Sequence, residues 1–255
     1  KETDNKPASS KDIKSISLNQ YIKTNGTGLG ARIGIIGKLN ESIRIGYSFQ
    51  SPVSHTLKDI YSYQIDATFD PGASYNSGPA VSPATSKSQQ NNYSYRISTP
   101  SRNTLSIALL DKKIGFLSGD VEFVNYKQAK LSPVVQGDNF NDDNKLIKTI
   151  YKNAVNLRVG AEIISDIFRF RAGFAYYPSP FENSKIPYIS GLDAKTYTLG
   201  FGIREKKYAL DIAYVTTKKA DYYAPYTLNN SNNYYFATNN LRAGNVVITA
   251  TFNLE

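Results

Sequence analysis

Apolar and polar residues alternate one by one over most of this chain. Residues 29–38 read Leu-Gly-Ala-Arg-Ile-Gly-Ile-Ile-Gly-Lys, with Leu29, Ala31, Ile33 and Ile35 on one face and Gly30, Arg32 and Gly34 on the other. Ile43, Ile45, Tyr47 and Phe49 stand opposite Arg44, Gly46 and Ser48 in the same way. The pattern returns with Leu157, Val159 and Ala161 against Arg158, Gly160 and Glu162, and with Phe168, Phe170, Ala172, Phe174 and Tyr176 against Arg169, Arg171, Gly173 and Ala175. It closes with Tyr197, Leu199, Phe201 and Ile203 against Thr198, Gly200, Gly202 and Arg204, Tyr208 to Tyr214 against Ala209, Asp211 and Ala213, and Val246 to Phe252 against Val247, Thr249 and Thr251. A period of two is that of a β-strand with two unlike faces. It predicts nine strands, at about 24–38, 42–53, 92–110, 114–131, 153–164, 167–178, 194–204, 208–217 and 242–254. Thr99-Pro100 falls inside the third and predicts a kink or bulge, because proline gives the ladder no N–H. Residues 139–150 predict a short loop helix packed on the rim of the sheet, with Asn141 or Asp142 as N-cap and Leu146, Ile147 and Ile150 as its apolar side.

Connection lengths sharpen this picture. Tight turns fall at Leu39-Asn40-Glu41, Asp111-Lys112-Lys113, Ser165-Asp166 and Glu205-Lys206-Lys207. Long polar stretches cover about 54–91, 132–152, 179–193 and 218–241. Short and long connections alternate strictly, as periplasmic turns and outer loops do in outer-membrane barrels. The polar face, rich in Gly, Ser, Thr and single charges, suits a lumen. The expected fold is therefore all-β, an antiparallel transmembrane β-barrel in the outer membrane, over residues 24–255, preceded by a polar segment at 1–23. An odd strand count would set the first and last strands parallel on closure, whereas single-chain bacterial barrels are even-numbered. That leads to the expectation that the chain is part of a larger barrel, completed by a missing N-terminal half or a companion chain.

Composition narrows the chemistry. There are 20 Tyr and 12 Phe but no Trp, a usage that fits the aromatic girdles of a barrel and equally a tyrosine-rich soluble β-protein. With no Cys and one His, disulfides, thiolate sites and multi-histidine metal sites are out of reach. The formal charge is +9, yet the basic residues are scattered singly or in short pairs such as Lys112-Lys113, which argues against a nucleic-acid surface. Mean hydropathy is −0.40 and no stretch approaches the length of an apolar membrane helix. The Gly-x-Gly repeats follow strand periodicity and lack the strand-to-helix context of a dinucleotide loop.

A family resemblance rests on ordered motifs. Gly26-Thr27-Gly28-Leu29-Gly30-Ala31-Arg32-Ile33-Gly34, then Ser42-Ile43-Arg44-Ile45-Gly46-Tyr47-Ser48-Phe49-Gln50-Ser51-Pro52, resembles the FadL/TodX family of outer-membrane transporters of hydrophobic compounds. Glu122-Phe123-Val124-Asn125-Tyr126 with Ala129-Lys130-Leu131-Ser132, Asn156 to Glu162, Arg171 to Pro180 and Asn245 to Thr249 are similar to Bacteroidetes-type members. The resemblance covers about residues 24–254. It implies a barrel of about 14 strands, within the even-numbered range of such barrels, with an N-terminal plug in the lumen and a lateral exit at a kinked early strand. Plug and roughly the first five strands have no counterpart in this chain, which reads as the C-terminal portion.

The resemblance implies passive uptake of a hydrophobic molecule such as a fatty acid, by binding and diffusion, without covalent chemistry or cofactor. Lumen-side guanidinium groups suit a carboxylate head through charge-assisted hydrogen bonds. Alternation nominates Arg32, Arg44, Arg158, Arg169, Arg171 and Arg204. In the competing reading they pair with Asp120, Glu122, Glu162 and Asp211 and only fill the barrel. His55 reads as a surface group in a loop approach, with no Ser/Asp constellation that would make an enzyme. Two other functions fit the pattern: a polar porin-like or structural barrel, and a soluble adhesin binding through 54–91 and 218–241. The adhesin requires the Ile43/Tyr47/Phe49 and Phe168/Phe170/Phe174 faces to turn into a packed core.

Overall fold

In the computed structural model, residues 2–3, 13–74, 79–80, 82–182, 192–223 and 237–252 are described. Two compact units are built from interleaved segments: Lys1–Gly28, His55–Ile97 and Ser132–Asn139 make the first, and Leu29–Ser54, Ser98–Leu131 and Phe140–Glu255 the second.

The second unit holds a nine-stranded sheet. Its strands are β3 (Arg32–Lys38), β4 (Ile43–Gln50), β8 (Arg102–Asp111), β9 (Gly115–Asn125), β11 (Asn153–Ser165), β12 (Phe168–Tyr177), β13 (Ala194–Arg204), β14 (Tyr208–Tyr223) and β15 (Ala237–Phe252). Their order in the sheet follows their order in the chain, from β3 at one edge to β15 at the other. The registers are antiparallel, for example Ile45↔Ile107, Val159↔Phe174 and Ile212↔Ile248. Each of the nine expected runs contributes one strand here, with the expected tight turns between the members of four hairpins, but three runs are broken: the first parts of 24–38 and 92–110 and the end of 114–131 belong to the other sheet. The kink expected at Thr99-Pro100 is a break in the chain's extended run, since β7 (Asn91–Ser98) ends before it and β8 starts after it.

Local chemistry closes each tight turn. Asn40 Oδ1 accepts from the Ser42 and Ile43 N–H groups, both at 2.8 Å. Asp111 Oδ1 accepts from Lys113 and Ile114 at 2.8 and 3.0 Å, and these two donors hold its carboxyl below the ordinary carboxylate range. Asp166 takes the left-handed backbone the third turn needs (φ 55°), and Arg169 Nη1 donates to the Asp166 and Phe168 carbonyls at 2.7 and 2.8 Å. Gly115, at φ 131°, leaves the second turn where a Cβ would run into the Glu162 carbonyl. Gly115→Ala is expected to cost about 1–3 kcal/mol through backbone strain, seen as a lower urea midpoint for loss of the heat-modifiable folded band on gels.

The apolar face of this sheet is not a packed core. Ile35, Leu199 and Ile248 expose 70%, 66% and 67% of their surface, and the buried hydrophobic residues among those described are only Ala73, Val124, Ala154 and Ala209. Tyr47, Phe168, Phe170 and Phe174 are exposed as well. This overturns the soluble-adhesin reading, which needed those faces inside: an exposed apolar face of this extent on an alternating antiparallel sheet is what the lipid side of a transmembrane barrel presents. Aromatic rings cluster across β12 and β13 on that face, with Phe170 and Phe201 centroids 5.4 Å apart and Phe174 and Tyr197 5.3 Å apart.

The first unit contains a second sheet, of order β1 (Glu2–Thr3), β2 (Ile13–Leu29), β5 (Ser54–Phe69), β7 and β10 (Lys130–Pro133), with β6 (Ala84–Lys87) paired to β5. Residues 13–23 and 54–69, expected as polar segment and loop, are therefore strands. His55 lies in β5 rather than in a loop, partly exposed, with its ring over Gly28 where no side chain intervenes. Of the expected long loops, residues 183–191 and 224–236 lie outside the described residues.

The expected helix is α1 (Asn141–Ile150), which starts one residue earlier than an N-cap at Asn141 predicts. Phe140 occupies the N-cap and no side chain caps the helix, while Asp142 and Asp143 in the first turn complement the helix dipole. Asn144 is used elsewhere: its side chain donates to and accepts from the Leu131 backbone, at 2.9 Å each way. Ile147 and Ile150 are half-buried but Leu146 is exposed, and Tyr151 stacks on Tyr126 and Phe181.

Candidate functional site

Alternation places the polar side chains of the nine-stranded sheet on one face, and two ionic networks form there. The first is centred on Glu122 of β9, only 3% exposed. Its Oε1 accepts from Asn156 Nδ2 at 2.7 Å and from Arg102 Nη1 at 3.1 Å, and its Oε2 lies 3.6 Å from Arg158 Nη2. Arg158 Nε also reaches Asp120 Oδ2 at 3.4 Å. The register explains the cluster: Glu122 and Asn156 are direct cross-strand partners, as are Asp120 and Arg158. Thr104, opposite Glu122 on β8, is buried with it.

The second network is centred on Arg171 of β12. Its Nε donates to Glu162 Oε2 at 2.6 Å and its Nη1 to Asp211 Oδ1 at 2.5 Å. Glu162 is its direct partner on β11, but Asp211 lies on β14, so the guanidinium crosses the whole width of β13. Two glycines allow this. Gly200 pairs with Arg171 and Gly202 with Asp211, and a Cβ on Gly202 would meet the Asp211 carboxylate and come within 3.2 Å of Arg171 Nη1. The glycines repeated along the polar face are the floor over which long charged side chains lie.

The six nominated arginines separate on this geometry. Arg158 and Arg171 are paired with Asp120, Glu122, Glu162 and Asp211, so these two fill the barrel in ion pairs. Arg169 spends its donors on the third turn. Arg32, Arg44 and Arg204 have no ion pair among the described residues. Alternation did not nominate Arg102: it follows Pro100-Ser101, where the period-two run is interrupted, and its proximity to Glu122 is a matter of register. No group of three or more potential metal ligands forms among the described residues.

In the first unit, Ile22, Asp59, Tyr61, Tyr63 and Tyr93 wall an open groove of about 240 Å³. Asp59 accepts from Thr24 Oγ1 at 2.6 Å, and burial together with the nearby Asp59 carboxylate pushes the Tyr95 phenol up.

An antiparallel meander with a lipid-type face, an ion-paired polar face and tight turns joining its hairpins defines an outer-membrane β-barrel. The model of the outer membrane protein transport protein family (OMPP1/FadL/TodX) matches residues 4–254, and the chain belongs to that family of outer-membrane transporters of hydrophobic compounds. The crystal structure of a FadL homologue from Pseudomonas aeruginosa is similar at 14% identity over 92% of this chain and 73% of that one, with a TM-score of 0.43. No curated protein matches the chain in sequence.

Proposed function

We propose that the protein takes up hydrophobic compounds bearing a carboxylate, long-chain fatty acids among them, by binding and diffusion past the polar face. The observation that carries this is the division of its arginines. Two are neutralised by carboxylates, whereas Arg32, Arg44 and Arg204 lie on that face with no ion pair among the described residues. A guanidinium offers a carboxylate two parallel hydrogen bonds, and water-exposed groups at intervals hold it weakly enough to release it. The Arg32→Gln/Arg44→Gln/Arg204→Gln variant is expected to take up labelled oleate about fivefold more slowly, at one lost charge-assisted contact of roughly 1 kcal/mol. Uptake of a neutral hydrocarbon of similar length should be unchanged. Equal oleate rates in the variant and the parent protein, both folded, would refute the reading.

The barrel also needs more strands than this sheet contains. Among the described residues β3 and β15 each have a neighbour on one side only within the nine-stranded sheet, and open ladder edges in lipid are very costly. Nine antiparallel strands leave the two edges running in the same direction. An odd number of further strands whose outermost members run opposite to β3 and β15, from an N-terminal half or a companion chain, completes an antiparallel closure; a second copy inserted in the same sense does not, because its edges run parallel to these.

A further inference from the structure

We propose that the membrane-facing surface of β13–β15 carries a binding site for the phosphate groups of an outer-leaflet lipid, formed by Lys195, Lys218 and Arg242. These residues are consecutive cross-strand partners: Lys195 pairs with Lys218 and Lys218 with Arg242. Their parity puts them on the apolar face with Tyr197, Leu199, Tyr214 and Val246, not with the lumen-type polar residues. Three cations directly opposite one another repel. Among the described residues one carboxylate answers them: Asp193 Oδ2 lies 3.1 Å from Lys195 Nζ. Lys218 and Arg242 have no ion pair among the described residues. Arg242 is held by a long contact of 3.5 Å to Thr216 Oγ1, and Lys195 lies over the Tyr176 ring at 5.8 Å from its centroid. The three cations, Asp193 and Asn240 line an open groove of about 410 Å³.

The level of this row on the barrel wall identifies the occupant. Tyr208 and Phe252 begin the apolar face at the turn end and pair with each other. Lys218 is ten residues further along β14, and Arg242 ten residues from Phe252 along β15. Ten residues rise about 34 Å along a strand, or roughly 26 Å along the membrane normal at the usual tilt near 40°. The apolar band of such barrels is about 25 Å tall. The row therefore lies one membrane thickness above the turns, level with Tyr176 and just beyond Tyr197 and Tyr214, on the side of the long loops. At that level the surrounding groups are the heads of the outer leaflet. A concentration of positive charge facing outward there is matched by lipid phosphates, and the groove with its amide at Asn240 gives an oxyanion further donors.

The test is lipid retention by the full-length protein. After exposure to phosphatidylcholine vesicles containing 10 mol% diphosphoryl lipid A and extraction in neutral detergent, the protein should keep lipid A at least tenfold enriched over phosphatidylcholine. Each cation near a charged headgroup is worth about 1 kcal/mol, roughly fivefold. Lys195→Gln/Lys218→Gln/Arg242→Gln should abolish the enrichment, while Lys112→Gln/Lys113→Gln at the turn end should not, and Arg242→Lys should keep most of it. For the parent protein, raising salt from 50 to 500 mM should lower the enrichment severalfold. Absence of enrichment in the parent protein, its survival in the folded triple variant, or its insensitivity to salt would each overturn the proposal. So would equal retention of dephosphorylated lipid A.

Discussion

Replacing Glu122 by alanine should be among the most damaging single changes in this protein. Its carboxylate is the only nearly buried charge in a cluster that also holds Arg102, Arg158 and Asn156. Removing it leaves two guanidinium groups facing each other and strands the Asn156 amide, itself 2% exposed. Breaking a fully buried pair typically costs about 3–5 kcal/mol. The arginines here keep roughly a third of their surface in solvent, at 36% and 32%, so part of that cost is relieved by water. A loss of about 2–3 kcal/mol is expected on that basis, read as a lower urea midpoint for unfolding from liposomes. Glu122→Gln retains a hydrogen-bond acceptor for Asn156 and should lose less. A Glu122→Leu/Arg158→Leu double variant should recover part of the loss, because the uncompensated charge goes with its partner. An alanine variant as stable as the parent would show that the cluster contributes nothing net.

The second large effect is expected at Arg171. Without its guanidinium, Glu162 and Asp211 face the same space across β12 and β13 with no cation between them. Their side chains are 11% and 24% exposed, so solvent screens them incompletely. Arg171→Ala should destabilise by about 2–4 kcal/mol, somewhat below the roughly 3–5 kcal/mol for a fully buried pair because these groups keep some solvent. It should also leave the polar face more negative at that level. Reconstituted in planar bilayers, the variant should shift its reversal potential toward cation preference. Lysine at the same position cannot reproduce the forked contact to two carboxylates on different strands, and Arg171→Lys should restore charge selectivity but only part of the stability.

The strands were legible because lipid and water impose opposite demands on alternate residues. Ile43 to Phe49 or Phe168 to Tyr176 have only one register that satisfies both. Their turns were legible from Asn40, Asp111 and Asp166, each of which supplies the acceptor or the backbone conformation its turn requires. Strands β2 and β5 were less so. In β2 the neighbours Asn19 and Gln20 are polar on both faces and interrupt the alternation, whereas β5 does alternate, Tyr61, Tyr63, Ile65 and Phe69 against Ser62, Gln64, Asp66 and Thr68, inside a stretch whose prolines and polar residues read as a loop. The candidate site was legible by face but not by partner. Periodicity nominated Arg158 and Arg171, and cross-strand register decided that each would be neutralised. The reach of Arg171 to Asp211 depends on Gly200 and Gly202 of the intervening strand, and no local window contains all four positions. The helix starts at Asn141 with Phe140 as its N-cap, so Asn141 and Asp142 lie inside the first turn, where Asp142 acts as a charge and not as a cap, and Asn144, one turn in, is bonded to the Leu131 backbone.

The neighbour-to-neighbour order of the nine strands bears on how the protein reaches its folded state. Every pairing joins strands adjacent in this sheet's chain order, so contact order is modest for an all-β protein. Four of the eight pairings close over tight turns, and the widest gap, from Gln50 to Arg102, spans roughly 50 residues. Loop-closure entropy grows only logarithmically, so even that gap costs about 2.5 kcal/mol more than a three-residue turn. Hairpins can form first and then zip side by side, each new strand capping an edge that would otherwise face lipid. The same arithmetic makes the long connections nearly free to change length. Insertions there tax assembly by fractions of a kilocalorie per mole, and surface-exposed segments of this barrel can diversify under outside pressure while the wall that carries them stays the same.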